Sequence, residues 1–92
     1  MLKVFKYTQE VVDYFTLALP KDSKVLSVSE VSAQNEFNIW ALVNPHNETE
    51  DRNFRFVGSG HELGVEEEKL KFIGTCATED RPLFGHLFEI LG

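Results

Sequence analysis

The chain carries one cysteine, Cys76, and one tryptophan, Trp40, and it has no long apolar run. A single cysteine excludes an internal disulfide, and no pair of His or Cys stands at a metal-ligand spacing such as C-x-x-C or H-x-x-x-H, so neither a metal nor any other cofactor is expected. The longest uncharged, mainly apolar stretch, 37–43, falls far short of the roughly 20 residues that a membrane helix needs. Lysines interrupt Met1-Leu2-Lys3-Val4-Phe5-Lys6, which lacks the apolar stretch of a secretory signal; a reducing, cytoplasmic setting is the expectation. Basic residues are scarce as well: nine Lys and Arg face fifteen Asp and Glu, a net charge of -6. That balance repels phosphate backbones over the distances at which charge steering operates, so direct nucleic-acid contact is not expected.

What is present suffices for a core. Hydrophobic residues make up 42% of the chain, with eight Phe, which argues against disorder. At 92 residues the expectation is a single domain over 1–92, because two separate cores could not repay the entropy of ordering the backbone. A domain of this size buries roughly two-thirds of the surface its unfolded chain exposes, so added stability from a bound ligand or a homodimer would matter.

Along the chain, short runs of branched and aromatic residues alternate with turn chemistry. Residues 2–7 read as a strand with Lys3 and Lys6 blunting an edge. Residues 11–19 fit a strand, with Val11, Asp13, Phe15, Leu17 and Leu19 alternating, and they also fit a helix behind a Thr8 cap; Val, Tyr, Phe and Thr in one short run favour the strand. Pro20-Lys21-Asp22-Ser23 is a turn, expected to join 11–19 and 24–31 as a hairpin. After a second turn at Gln34-Asn35, 36–43 is the strongest strand signal. Phe37, Ile39, Ala41 and Val43 form one face, and Trp40 and Leu42 the other, the pattern of a central strand covered on both sides. Residues 44–53 read as a long exposed loop with a mobile tip. Strands follow at 54–57, 70–75 and 83–91, the last two flanking a turn at Glu79-Asp80-Arg81-Pro82, and a short helical turn fits within 64–69. Seven short strands predict an all-β or mainly β fold, a compact antiparallel sandwich or barrel with at most one short helix.

The candidate ligand-binding residues cluster around glycine. Gly58, Ser59, Gly60 and His61, followed by Gly64, allow positive φ and bring backbone N–H groups towards a small anionic ligand. The spacing G-x-G-x-x-x-G is not a dinucleotide fingerprint, and a tight turn or bulge at a strand end is the plainer reading. Ser59 and His61 suggest a nucleophile and base, but in an extended segment Glu62 points away, so a third group would have to come from Asp80 or Glu89. His86 shares a strand face with Phe84, Phe88 and Ile90 and reads as a buried, hydrogen-bonded structural histidine. Trp40, beside Leu42, reads as core before it reads as a ligand platform, and Cys76 as a small apolar residue. No catalytic residue is assigned. Glu48, Glu50 and Asp51, together with Glu66, Glu67 and Glu68, read as solvated acidic loops that could steer a basic protein partner; a DNA-mimicking surface would need carboxylates all around.

Three segments taken together carry a resemblance: Ile39-Trp40-Ala41-Leu42-Val43-Asn44-Pro45, Phe56-Val57-Gly58-Ser59-Gly60-His61, and Phe72-Ile73-Gly74-Thr75 with Leu83-Phe84-Gly85-His86-Leu87-Phe88-Glu89. They resemble a family of small uncharacterised proteins encoded by tailed bacteriophages, in the ordered pattern W-A-L-V-x-P, G-[ST]-G-H and H-x-F-E. Ser59 stands where the family usually has Thr, Gly85 where it often has a bulkier residue, and the run Glu66, Glu67, Glu68 is peculiar to this chain. The resemblance implies origin more than mechanism, and its inclusion of both His61 and His86 points to a polar pocket linking them. The leading expectation is a non-enzymatic phage accessory protein that binds a host defence or takeover target in the host cytoplasm. The alternatives are a sequestering binder of a nucleotide-like small anion and a small hydrolase using His61 or His86.

Overall fold

The computed structural model describes residues 1–80 and 83–92, and the expected turn at Glu79-Asp80-Arg81-Pro82 lies partly outside them. Seven strands form two antiparallel sheets: β1 (Lys3–Glu10), β2 (Tyr14–Pro20), β3 (Lys24–Val28), β4 (Glu36–Val43), β5 (Thr49–Gly58), β6 (Leu70–Ala77) and β7 (Phe84–Ile90). One 3₁₀ turn at Glu67–Lys69 precedes β6. The first sheet runs β1-β4-β3 and the second β2-β5-β7-β6, so the fold is mainly β as expected, and of the sandwich and the barrel it is the sandwich. Among the described residues no helix is long and apolar enough to cross a membrane.

Period-two alternation decides which side chains meet between the sheets. Phe37, Ile39, Ala41 and Val43 of β4 face Leu19 of β2, Phe54 and Phe56 of β5, and Leu87 of β7, all buried. Phe15 stacks on Phe54 with ring centroids 5.2 Å apart, and Phe37 lies 5.0 Å from Phe56, so aromatic contacts run along the middle of the core. Edge strands β3 and β6 each carry an irregularity, between Val25 and Ser27 and between Phe72 and Gly74, and a parallel bridge from Val31 to Thr78 joins the sheets on that side.

Four sequence expectations change. Pro20-Lys21-Asp22-Ser23 is a turn, with Asp22 at φ 68° and the Ser23 N–H donating to the Pro20 carbonyl at 3.1 Å, but it does not close a hairpin. It carries the chain from one sheet to the other, because β2 pairs with β5 while β3 pairs with β4. The long loop is short: residues 49–53 belong to β5, where they pair with β2, and their polar character reflects an outward face and one buried ion pair. β4 is central but covered on one side only, which leaves Trp40 37% exposed on the outer face of the first sheet. On β7 the inward face is Gly85, Leu87 and Glu89, so His86, Phe84 and Phe88 point outwards.

The inward Glu89 is 4% exposed and is accompanied by Arg52, which donates from Nε and from Nη2, the latter at 2.9 Å. Arg52 Nη1 also donates to the Ser23 carbonyl at 2.9 Å, tying the cross-sheet turn to the second sheet. The hydrogen bond to Glu89 holds the guanidinium above its ordinary pKa. Breaking one side of such a pair strands the other charge. Glu89→Gln should cost about 3 kcal/mol in urea denaturation, whereas Arg52→Met combined with Glu89→Met should cost much less, since apolar replacement of a whole buried pair is often close to neutral.

Candidate functional site

At one end of the sandwich β5 finishes, β7 begins, and the β1–β2 and β3–β4 connections come together. Here Gly58-Ser59-Gly60-His61 forms a tight turn closed by the His61 N–H on the Gly58 carbonyl at 3.1 Å, with Gly60 at φ +85°, a conformation that favours glycine. The Ser59 N–H donates to the Phe84 carbonyl at 3.3 Å, which fixes the turn against β7. The expected turn at the strand end is therefore present, and it lines a cleft of about 420 Å³. Val11, Val31, Phe56, Leu83 and Phe84 make its apolar surface, while Asp13, Asn35, Ser59 and His61 supply polar groups.

His86 adjoins the same turn from the outer face of the second sheet. Its Nε2 lies 2.7 Å from Ser59 Oγ and its Nδ1 2.9 Å from Thr75 Oγ1, so both ring nitrogens are engaged by hydroxyls. It is half-buried rather than a core histidine. The His86 face looked like the inner one because it is apolar too, and part of it is covered by the connection that carries Leu63 and Val65. His61 turns to the other side of Ser59, its ring packed on Gly58. The two histidines flank one serine rather than face each other in a shared pocket.

A residue that the sequence reading passed over holds this corner in place. Arg55, 8% exposed, projects from the outer face of β5 and donates to the carbonyls of Leu63 at 2.8 Å, Glu62 at 2.9 Å, Phe56 at 2.6 Å and Asp13 at 3.2 Å. Its guanidinium lies 4.7 Å from the Tyr14 ring centroid, and the Tyr14 hydroxyl donates to the Leu63 carbonyl at 3.2 Å. The one arginine inside Phe54-Arg55-Phe56-Val57 was the available signal, since a charge in a buried strand must find acceptors. Asp13, Asn35 and Thr75 were also missed; they reach the site only through pairing between distant strands.

The remaining candidates lie elsewhere. Trp40 sits on the outer face of the opposite sheet, between Lys6 and Ser27 in register, and does not join the cleft. Glu48 precedes β5, Glu50 and Asp51 are within it, and Glu66, Glu67 and Glu68 lead into β6. Asn53 pairs with Ile90 and Ile90 with Leu70, so both acidic groups gather at the end of the second sheet opposite the cleft. Among the described residues no three His, Cys, Asp or Glu side chains gather as a metal site. Burial pushes the Cys76 thiol up to about 11, which disfavours the nucleophilic thiolate.

Gly85 sets the depth of the cleft, because a Cβ there would stand 2.1 Å from Phe56 Cζ. Gly85→Ala should displace the Phe56 ring and cost about 1–3 kcal/mol, the range for overpacking a filled core, measurable as a lowered urea midpoint with unchanged slope.

No curated protein and no solved structure matches the chain. The sequence profile of one family spans nearly the whole of it, residues 1–91, and on that match the chain belongs to the family described as Domain of unknown function (DUF7352).

Proposed function

We propose that the protein works by binding, and that the cleft beside Ser59 and His61 holds a small, mainly apolar ligand. The observation that carries this reading is the cleft itself: about 420 Å³, apolar within and edged by a few convergent polar side chains, the usual composition of a small-molecule site. Among the described residues the cleft is lined by Asp13, whose carboxylate lies 3.7 Å from Arg55 Nη1, and by no Lys or Arg, so an uncharged group is favoured over the anion expected from the glycines. Of the two ways in which a small phage protein would act stoichiometrically, covering a host protein or sequestering a signalling molecule, the cleft favours the second. On this reading the protein is a phage accessory factor that removes a small molecule in the cytoplasm of the infected cell. The run Glu66, Glu67 and Glu68 supports steering of a basic partner at that edge, and the free edge of β1 supports a homodimer.

A thermal-shift panel of nucleosides, nucleotides and cyclic signalling molecules tests the reading. A cleft ligand at a hundred times its dissociation constant should add about 2.7 kcal/mol of stability. Leu83→Arg, a change at an exposed position on the cleft wall, should abolish the shift. A flat response across the panel, with a host protein held through Glu50 and Asp51 instead, would overturn it.

A further inference from the structure

Two hydroxyls and an imidazole stand in line on the outer face of the second sheet, and the first of these residues, Ser59, also lines the cleft. Ser59 Oγ is 2.7 Å from His86 Nε2, and His86 Nδ1 is 2.9 Å from Thr75 Oγ1. A hydroxyl both donates and accepts, so this chain of contacts accommodates the ring proton on either nitrogen. With the proton on Nδ1 and donated to Thr75, the Nε2 lone pair accepts the Ser59 hydroxyl proton. That is the arrangement a general base needs beside a nucleophilic serine. Ser59 and Thr75 are both exposed, so water could satisfy each of them, and the contacts add little to stability. What they do fix is position. The Ser59 amide is bound to Phe84, the turn is closed by His61, and Thr75 pairs directly with His86 across β6 and β7.

We propose that Ser59 is a nucleophile that takes an acyl group from an uncharged ester or thioester bound in the cleft. The proposal rests on the cleft being a ligand site and adds the chemistry of its occupant. The acyl chain lies on Phe56, Leu83 and Phe84. The Ser59 proton passes to His86 Nε2 as the Oγ–C bond forms. The Gly60 N–H, next along the chain, is assigned as donor to the developing oxyanion. The bond to the leaving oxygen or sulfur then breaks, and that atom takes the proton back from His86 as an alcohol or thiol. Water, deprotonated by His86, later hydrolyses the acyl-serine to the free acid and restores the hydroxyl. Thr75 orients the imidazole but, being uncharged, stabilises the imidazolium less than a carboxylate does. Both acylation and deacylation are therefore slow.

A hexyl fluorophosphonate tests this, because it reacts with activated serines by losing fluoride and cannot be hydrolysed off at a comparable rate. Intact-mass spectrometry should show one phosphonyl group, mapped to Ser59, lost in Ser59→Ala. His86→Gln should slow the reaction by roughly a hundredfold or more, the range that a positioned base supplies. Thr75→Val should slow it less, with its pH profile altered. The unreactive dimethyl hexylphosphonate separates the two readings through the amide resonances of Gly60 and His61. Shifts with this compound but no covalent adduct from the fluorophosphonate would overturn the nucleophile and leave the cleft as a binding site. Neither shifts nor adduct would overturn both for apolar ligands, and labelling that persists in Ser59→Ala would overturn the assignment of the nucleophile.

Discussion

A guanidinium withdrawn from water on the face of a β-sheet must be given acceptors, and Arg55 takes four of them from backbone carbonyls that the sequence sets far apart. Leaving such a charge unpaired would cost several kcal/mol, which is large against the total stability of a small domain. The requirement draws the 61–64 connection across the outer face of the second sheet and holds the β1–β2 connection at Asp13 against the end of β5. Both segments border the cleft, so the place where Ser59, His61 and Asp13 converge is a consequence of satisfying one arginine. Tyr14 completes the cage with its ring over the guanidinium and its hydroxyl on Leu63.

A second arginine, half-buried, acts at the opposite end. Arg52 pairs with Glu89 between the sheets and ties the turn before β3 to them, where Glu50, Asp51 and the run Glu66, Glu67, Glu68 also gather. The apolar cleft lies at one end of the strands, and at the other these acids are interleaved with Lys21, Lys24, Lys69 and Lys71.

Much of the fold was legible because strand periodicity is a local property. The alternation of Phe37, Ile39, Ala41 and Val43 named the inner face of β4, and that of Phe15, Leu17 and Leu19 the inner face of β2. Partner choice was not local. The turn at 20–23 looked like a hairpin turn, yet β2 found its partner in β5, about thirty residues on, where Arg52 and Phe54 face the same core. The orientation of β7 failed for a related reason. Phe84, His86, Phe88 and Ile90 look like the core face, and Glu89 looks like a surface residue until Arg52 is known to meet it. The glycine-rich turn at Gly58 to His61 could be read directly, since Gly60 needs a positive φ. Its company could not: Asp13, Asn35, Thr75 and His86 arrive there by strand register alone.

Amide hydrogen exchange in Arg55→Lys tests the central claim most directly, because an ammonium with three donors cannot serve four carbonyls in the geometry of a guanidinium. Two amides report on the cleft: Phe56 N–H, bonded to Asp13, and His61 N–H, bonded to Gly58. If Arg55 organises this corner, both should lose protection while the amides between β4 and its neighbours keep theirs. Unchanged protection at Phe56 and His61, or an equal loss throughout both sheets, would contradict the account.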